Sequence, residues 1–403
     1  MKRRSLLAGA ALAATQLARP HAQKPVTVRW WYHFDDPTAS PAALVSDFER
    51  QNPDIHIQAE NIPWGGGGDY DTRLYSSIIA ENPPDCAMVK FNNLPRLMEM
   101  DALLPLDRHI ESWSGRADIS DELWALHRAP DGKRPYLPLQ YVVLYLYVRQ
   151  DWFAKAGLDS PTNFDKFLTA AKALTGGDRW GFGLRGGAGG HDHWCSFVLG
   201  GGAELHKGGL VSPAAFAANQ WFIDLFRVQK VFPPSAPSDG FLQTISNMKA
   251  GRTAMTIHHI GSANELVAAL GDAITAIPVP RGPQGKGWTS FGDGSSAIFA
   301  QSRNPDAAWK WISFLSTGAN NVAFNKLSGQ VTVTTSGAKD WSFQPKRFIE
   351  ATTASLPIAA TLPPSPQTAD FTRTVWPQTT QQALLGQITP NAMMETFEKL
   401  FFA

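Results

Sequence analysis

Three stretches of the 403-residue chain gather residue types that could do chemistry. His191-Asp192-His193-Trp194-Cys195 offers nitrogen, oxygen and sulfur donors in a row. No second pair stands at a zinc-binding spacing, however, and His206 or His258-His259 would have to be recruited from elsewhere. Gly181-Phe182-Gly183-Leu184-Arg185-Gly186 has the letters of a dinucleotide-binding turn, yet Gly187 to Gly190 follows where a helix should open. Trp64-Gly65-Gly66-Gly67-Gly68-Asp69-Tyr70 lacks the Lys-Ser/Thr pair of a phosphate loop. It reads as a bare backbone turn into a helix capped by Asp69, with Trp64 at the rim of a cleft. There is no GxSxG elbow, and no two acids stand out as a proton donor and its partner. Asp35, Asp69 and Asp293 read as hydrogen-bond acceptors or caps. The chemistry on offer is recognition without catalysis, metal or cofactor. The 14 Trp fit that, because an indole face can stack on a sugar ring as well as pack a core.

The first 22 residues read as an export address. Lys2, Arg3 and Arg4 form a basic start, and Ala8 to Leu17 is apolar but too short to span a bilayer. Arg3-Arg4-Ser5-Leu6-Leu7 resembles a twin-arginine signal. Cleavage is expected after Ala22, which implies a soluble periplasmic protein. Without Lys2, Arg3, Arg4 and Arg19 the chain keeps 32 of its 36 basic residues against 35 acidic ones, a net charge near −3. Nucleic acid and anionic membranes need a concentrated basic face, so neither is expected as a partner. Cys86 and Cys195 fall in unrelated segments and are expected to be free thiols.

The elements that must position these residues follow from periodicity. Strands are expected over 26–31, 55–60 and 86–89, with helices over 41–50 and 71–81 between them. This β-α-β-α-β order opens an α/β sheet whose ligands sit at the carboxyl ends of its strands. Further strands are expected over 141–148, 254–257, 273–279 and 295–299. Helices are expected from 151, and over 163–174, 213–230, 239–249 and 304–316.

In chain order, Asn52-Pro53-Asp54-Ile55, Ile62-Pro63-Trp64, Asn82-Pro83-Pro84-Asp85, Leu137-Pro138-Leu139-Gln140 and Asp151-Trp152-Phe153-Ala154-Lys155 resemble family 1 extracellular solute-binding proteins, the sugar-type receptors of ABC importers. Met248-Lys249-Ala250-Gly251-Arg252, Ile277-Pro278-Val279-Pro280 and Asn304-Pro305-Asp306-Ala307-Ala308-Trp309 continue the likeness. The resemblance implies a two-lobed α/β fold of the periplasmic binding protein type (type II-like), with the ligand in a cleft between lobes joined by hinge strands. It divides the chain into 24–138 and 277–318 for one lobe, and 139–276 and 319–403 for the other. It implies ligand contacts from His33, Trp64, Asp69, Asn92, Gln140, Trp194, His258, Gly292, Asp293, Gln330 and Arg373, with Trp64 and Trp194 as opposed stacking faces. The expected function is capture of a mono- to oligosaccharide by a monomer that closes on it and hands it to an ABC permease. The alternatives are a glycerol-3-phosphate or glycerophosphodiester ligand held by Arg373, or a secreted glycoside hydrolase.

Overall fold

The computed structural model describes residues 24–34, 38–64, 68–129, 131–340, 343–363 and 365–403, less the side chains of Asn92, Glu122, Leu126, Asp293 and Lys339. The expected export segment, its cleavage point at Ala22, and Asp35 lie outside the described residues.

The amino-terminal strands are β1 (Val26–Tyr32), β2 (Ile55–Asn61) and β3 (Cys86–Val89). They lie parallel in the order β2-β1-β3, joined by helices Ala42–Gln51 and Gly68–Ile79. Successive side chains of a strand point to opposite faces, and both faces of this sheet are covered. Val28, Trp30 and Met88 therefore enter one apolar cluster with Phe48, Trp311 and Phe324. Trp31, Ala87 and Val89 enter another with Tyr70, Leu74 and Leu97.

The remaining strands are β4 (Tyr136–Arg149), β5 (Trp180–Phe182), β6 (Thr253–His259), β7 (Ile274–Ile277), β8 (Thr289–Ile298), β9 (Val331–Thr332) and β10 (Ala359–Ala360). β4 does two jobs. Its first half pairs with β8, from Tyr136 opposite Ala297 to Val143 opposite Phe291. Its second half runs between β6 and β7, and β5 lies parallel to β6 beyond. This second sheet is likewise covered on both faces, by the clusters around Leu146, Met255 and Trp194 and around Tyr145, Tyr147 and Phe348.

β4 reaches five residues further toward the amino terminus than its apolar run suggests, and β8 begins six residues earlier than expected. Pro138 and the Phe291-Gly292-Asp293-Gly294 run conceal these ends, since Pro and Gly are poor strand formers. The pairing accommodates them with a register shift between Pro138 and Gln140. Gly294 is required there, because a Cβ would stand 2.6 Å from the Gln140 Cγ. The freed Leu139 carbonyl accepts from the Asn321 and Asn325 side-chain amides, at 2.8 and 3.0 Å.

The clusters depart from the expected division at 277 and 319. Ile277, Val279 and Trp288 pack with Trp194 and Met255, whereas Phe324, on helix Gly318–Ser328, packs with Trp30. Cys86 and Cys195 are separate buried thiols in different clusters.

Candidate binding cleft

A cavity of about 800 Å³ lies where the carboxyl ends of β1, β3 and β6 converge, within the size range of small-molecule sites. β1 delivers His33 and Phe34, β3 delivers Lys90 and Phe91, and β6 delivers His258 and His259. The loop after β1 is pinned to β2, since Asn61 accepts from the Phe34 amide at 2.8 Å and donates to the Phe34 carbonyl at 3.0 Å. Trp64 follows, half-buried, 5.2 Å from the His33 ring and with the Lys90 ammonium 5.1 Å from its centroid. The opposite wall carries Arg185, the His191-Asp192-His193 start of helix His191–Val198, and Phe241. Phe241 stands 4.3 Å from His258 and stacks on His259 at 5.4 Å.

Burial governs the electrostatics. It pushes the His193 and His259 imidazoles down to about 3, helped at His193 by Arg185 and at His259 by Lys90 and Arg185. It also lowers His33 and His258 well below the ordinary value, and lowers His191 against the pull of Asp192. All five rings are neutral at pH 7. His193 is fixed in its tautomer: Nδ1 accepts from the Arg185 amide at 3.3 Å, so Nε2 donates to the Ile257 carbonyl at 2.8 Å. Burial raises the Asp71 carboxyl, opposed by the Arg373 guanidinium bonded to it. Five polar atoms in the cavity wall have no hydrogen-bond partner among the described residues: His33 Nε2, Asp71 Oδ1, His191 Nδ1, His258 Nε2 and Gln330 Oε1.

The structure brings together His33, Trp64, Gln140, His258, Gly292, Gln330 and Arg373, all in the wall of this cavity. Gln330 donates to His259 Nδ1 at 3.0 Å, and the Gln140 Oε1 accepts from Ser328 at 3.2 Å. Asn92 lies in the helical turn Phe91–Asn93 and Asp293 in β8, with side chains outside those described. Two expectations are corrected. Asp69 is exposed in the first turn of helix Gly68–Ile79 and is not in the cavity wall; Asp71, two residues on, turns inward instead. Trp194 is 0% exposed in the core, edge-on to Phe371 and Phe397, with its indole N–H bonded to Asn219 at 2.8 Å. Half-buried Phe241 stands in the cavity wall that Trp194 was expected to form.

Sequence reasoning also missed Arg185 and His259, and took the His191-Asp192-His193 run only as candidate metal donors. No group of three or more such donors able to hold a metal ion occurs among the described residues. Asp192 instead accepts from the Ser290 hydroxyl of β8.

The sequence profile of the bacterial extracellular solute-binding proteins matches residues 34–321. The chain belongs to that family. Among its relatives in the family, a binding protein of Brucella abortus (strain 2308) is 27% identical over 364 residues, 86% of this chain and 85% of the relative. The maltodextrin-binding protein MdxE of Bacillus subtilis (strain 168) is 24% identical over 306 residues, 72% of this chain and 70% of its own. An ABC transporter solute-binding protein from Thermotoga lettingae, solved with α-D-tagatose bound, matches with a TM-score of 0.84 at 22% identity. The match covers 94% of this chain and 99% of that one. This solute-binding protein thus has the two-lobed α/β fold of the maltose-binding-protein type, as its sequence motifs imply. No helix among the described residues is long and apolar enough to cross a membrane.

Proposed function

We propose that this solute-binding protein is a non-catalytic receptor for an uncharged carbohydrate, which it carries to an ABC importer. The five unpartnered polar atoms of the cavity wall support this above all. Asp71 Oδ1 and Gln330 Oε1 can only accept hydrogen bonds while Asp71 is ionised, and buried polar groups need partners. A ring of hydroxyls supplies donors to these oxygens and either donors or acceptors to the three imidazole nitrogens. The phosphate of a glycerophosphate ligand brings only further acceptors to this wall, and the Arg373 guanidinium that would hold it is already engaged by Asp71. The maltodextrin-binding relative and the tagatose-bound structure favour the same ligand class. The lobes are centred on the β1–β3 sheet and on the β5–β7 sheet, joined through β4 and β8. The basic start of the chain and the family's extracellular character fit export to the periplasm by the twin-arginine route, where the protein works as a monomer.

Calorimetric titration with maltose, maltotriose, D-tagatose and glycerol-3-phosphate tests the reading. One or more of the sugars should bind with unit stoichiometry and be recovered unchanged. Binding of glycerol-3-phosphate alone, or release of cleavage products, overturns it. Within this reading Trp64 supplies an apolar face, and Trp64→Ala should weaken sugar binding about thirtyfold, or about 2 kcal/mol. The melting temperature should barely move, because the ring is half-buried at a wet rim. An unchanged affinity with a lowered melting temperature would make Trp64 a packing residue.

A further inference from the structure

The two oxygens of Asp71 are in different situations. Oδ2 accepts from Arg373 Nη2. The same nitrogen donates to Tyr75 Oη at 3.3 Å, and the guanidinium lies 4.8 Å from the Tyr75 ring centroid. Asn93 steadies this group by donating to Tyr75 Oη at 2.8 Å. Asp71 and Tyr75 share one face of helix Gly68–Ile79, which packs through Tyr70 and Leu74 on the amino-terminal sheet. Arg373 belongs to the turn Phe371–Val375, whose Phe371 is in the cluster of Trp194 and Phe397 on the second sheet. The ion pair therefore joins the two sides of the cleft. Asp71 Oδ1, by contrast, is buried in the cavity wall without a partner among the described residues, on a side chain only 6% exposed.

The turn that carries Arg373 has an unusual backbone. Residues 371–375 form one turn of π-helix, closed by the bond from the Trp376 amide to the Phe371 carbonyl. Pro377 accounts for it: a proline has no N–H for the carbonyl four residues back and its ring crowds that carbonyl, which is Arg373's own. The widened turn lets three consecutive side chains, Thr372, Arg373 and Thr374, line the cavity. Turns of this kind occur often at functional sites.

We propose that Asp71 couples the two halves of the cleft to the ligand: Oδ2 holds the opposite turn through Arg373, while Oδ1 accepts a hydrogen bond from a ligand hydroxyl. Only the second half rests on the carbohydrate reading. Closing an empty cleft strips water from Oδ1 and gives nothing back, which costs free energy for a buried carboxylate. Closing over a hydroxyl donor replaces that water with a charge-assisted bond. The ligand thus favours the closed form, and closure favours the ligand by the same factor.

Nitroxide labels at exposed Arg50 and Lys155, on opposite sides of the cleft, test the first half in the ligand-free protein by pulsed electron resonance. The native cysteines are buried and do not compete for label. Arg373→Gln should deplete the population at the distance of the paired structure, and Arg373→Lys should restore part of it. An unaltered distribution in Arg373→Gln overturns the latch. Should Asp71→Asn alone fold poorly, the double variant Asp71→Asn/Arg373→Gln, which leaves no lone charge, must show the same depletion. The second half is read by titration with maltose, maltotriose and D-tagatose. For a sugar that binds the unaltered protein, Arg373→Gln should weaken binding about tenfold, mainly by faster release, and Asp71→Ala about a hundredfold because both acceptor oxygens are lost. Equal losses overturn the role of Oδ1. If none of the three sugars binds the unaltered protein, the carbohydrate reading fails, and the distance measurement still decides the latch.

Discussion

Trp194→Ala is expected to destabilise the protein by about 3–5 kcal/mol, the range for truncating a large buried aromatic side chain. The ring is wholly buried and meets Phe371 at 5.8 Å and Phe397 at 5.3 Å. Its removal would also strand the Asn219 Oδ1 that accepts its N–H. That oxygen cannot be relieved by rotating the amide, because Asn219 Nδ2 is committed to the Pro390 carbonyl at 2.8 Å. Sugar affinity of the remaining folded protein should be nearly unchanged, since the indole is not part of the cavity wall. Urea unfolding and calorimetry of the same variant separate the two roles. A roughly thirtyfold loss of affinity with unchanged stability would place Trp194 at the ligand after all.

That tryptophan shows where the sequence stops being legible. Strands β1, β2 and β3 were readable because β-branched and aromatic residues sit in short runs between clear turns. Their carboxyl ends point to the cavity by topology, while His33 and His258 were named only through the family resemblance. Helix His191–Val198 gives no such guidance. Every residue from His193 onward is buried, so apolar periodicity does not say which side faces ligand and which faces core. Asp69 was named and Asp71 was not, for a related reason. Tyr70, Leu74 and Ile78 mark the core face, but the neighbouring Asp71–Tyr75 face is covered by Asn93 and by Arg373, which comes to meet it from 302 residues further along the chain. Phe241 carries no local signal, and its place opposite His258 follows from tertiary packing. The hinge strands were concealed by their own Pro and Gly, whose cost is met by the bulge at Leu139 and the amides of Asn321 and Asn325.

Acid should unfold this protein from an unusually high pH, because its cleft buries neutral imidazoles. An unfolded histidine takes up a proton near its ordinary value of 6.5, whereas His193 in the folded protein resists until about 3. Between these values the unfolded chain binds more protons than the folded one, so stability falls as the pH falls; above about 7 this residue contributes no pH dependence. At pH 5 the lag at His193 alone corresponds to a loss of about 2 kcal/mol. His259 is held down to about 3 as well, and His33, His191 and His258 are lowered in the same direction. Their losses add to the first in sign, though not independently, because the rings share Arg185, Lys90 and one another as neighbours. Asp71 and Asp239 act in the opposite sense, since burial raises both carboxyls and the folded state takes their protons first. That compensation falls inside the lower part of the histidine window and offsets part of the loss there. Urea midpoints measured at constant ionic strength should therefore be level from pH 8 to 7 and drop steeply between 6.5 and 5. Midpoints that stay level down to pH 5 would mean that the imidazoles are open to solvent. Bound sugar should shift the drop to lower pH, because a ligand that binds only the folded protein adds to its stability without changing what the unfolded chain can protonate.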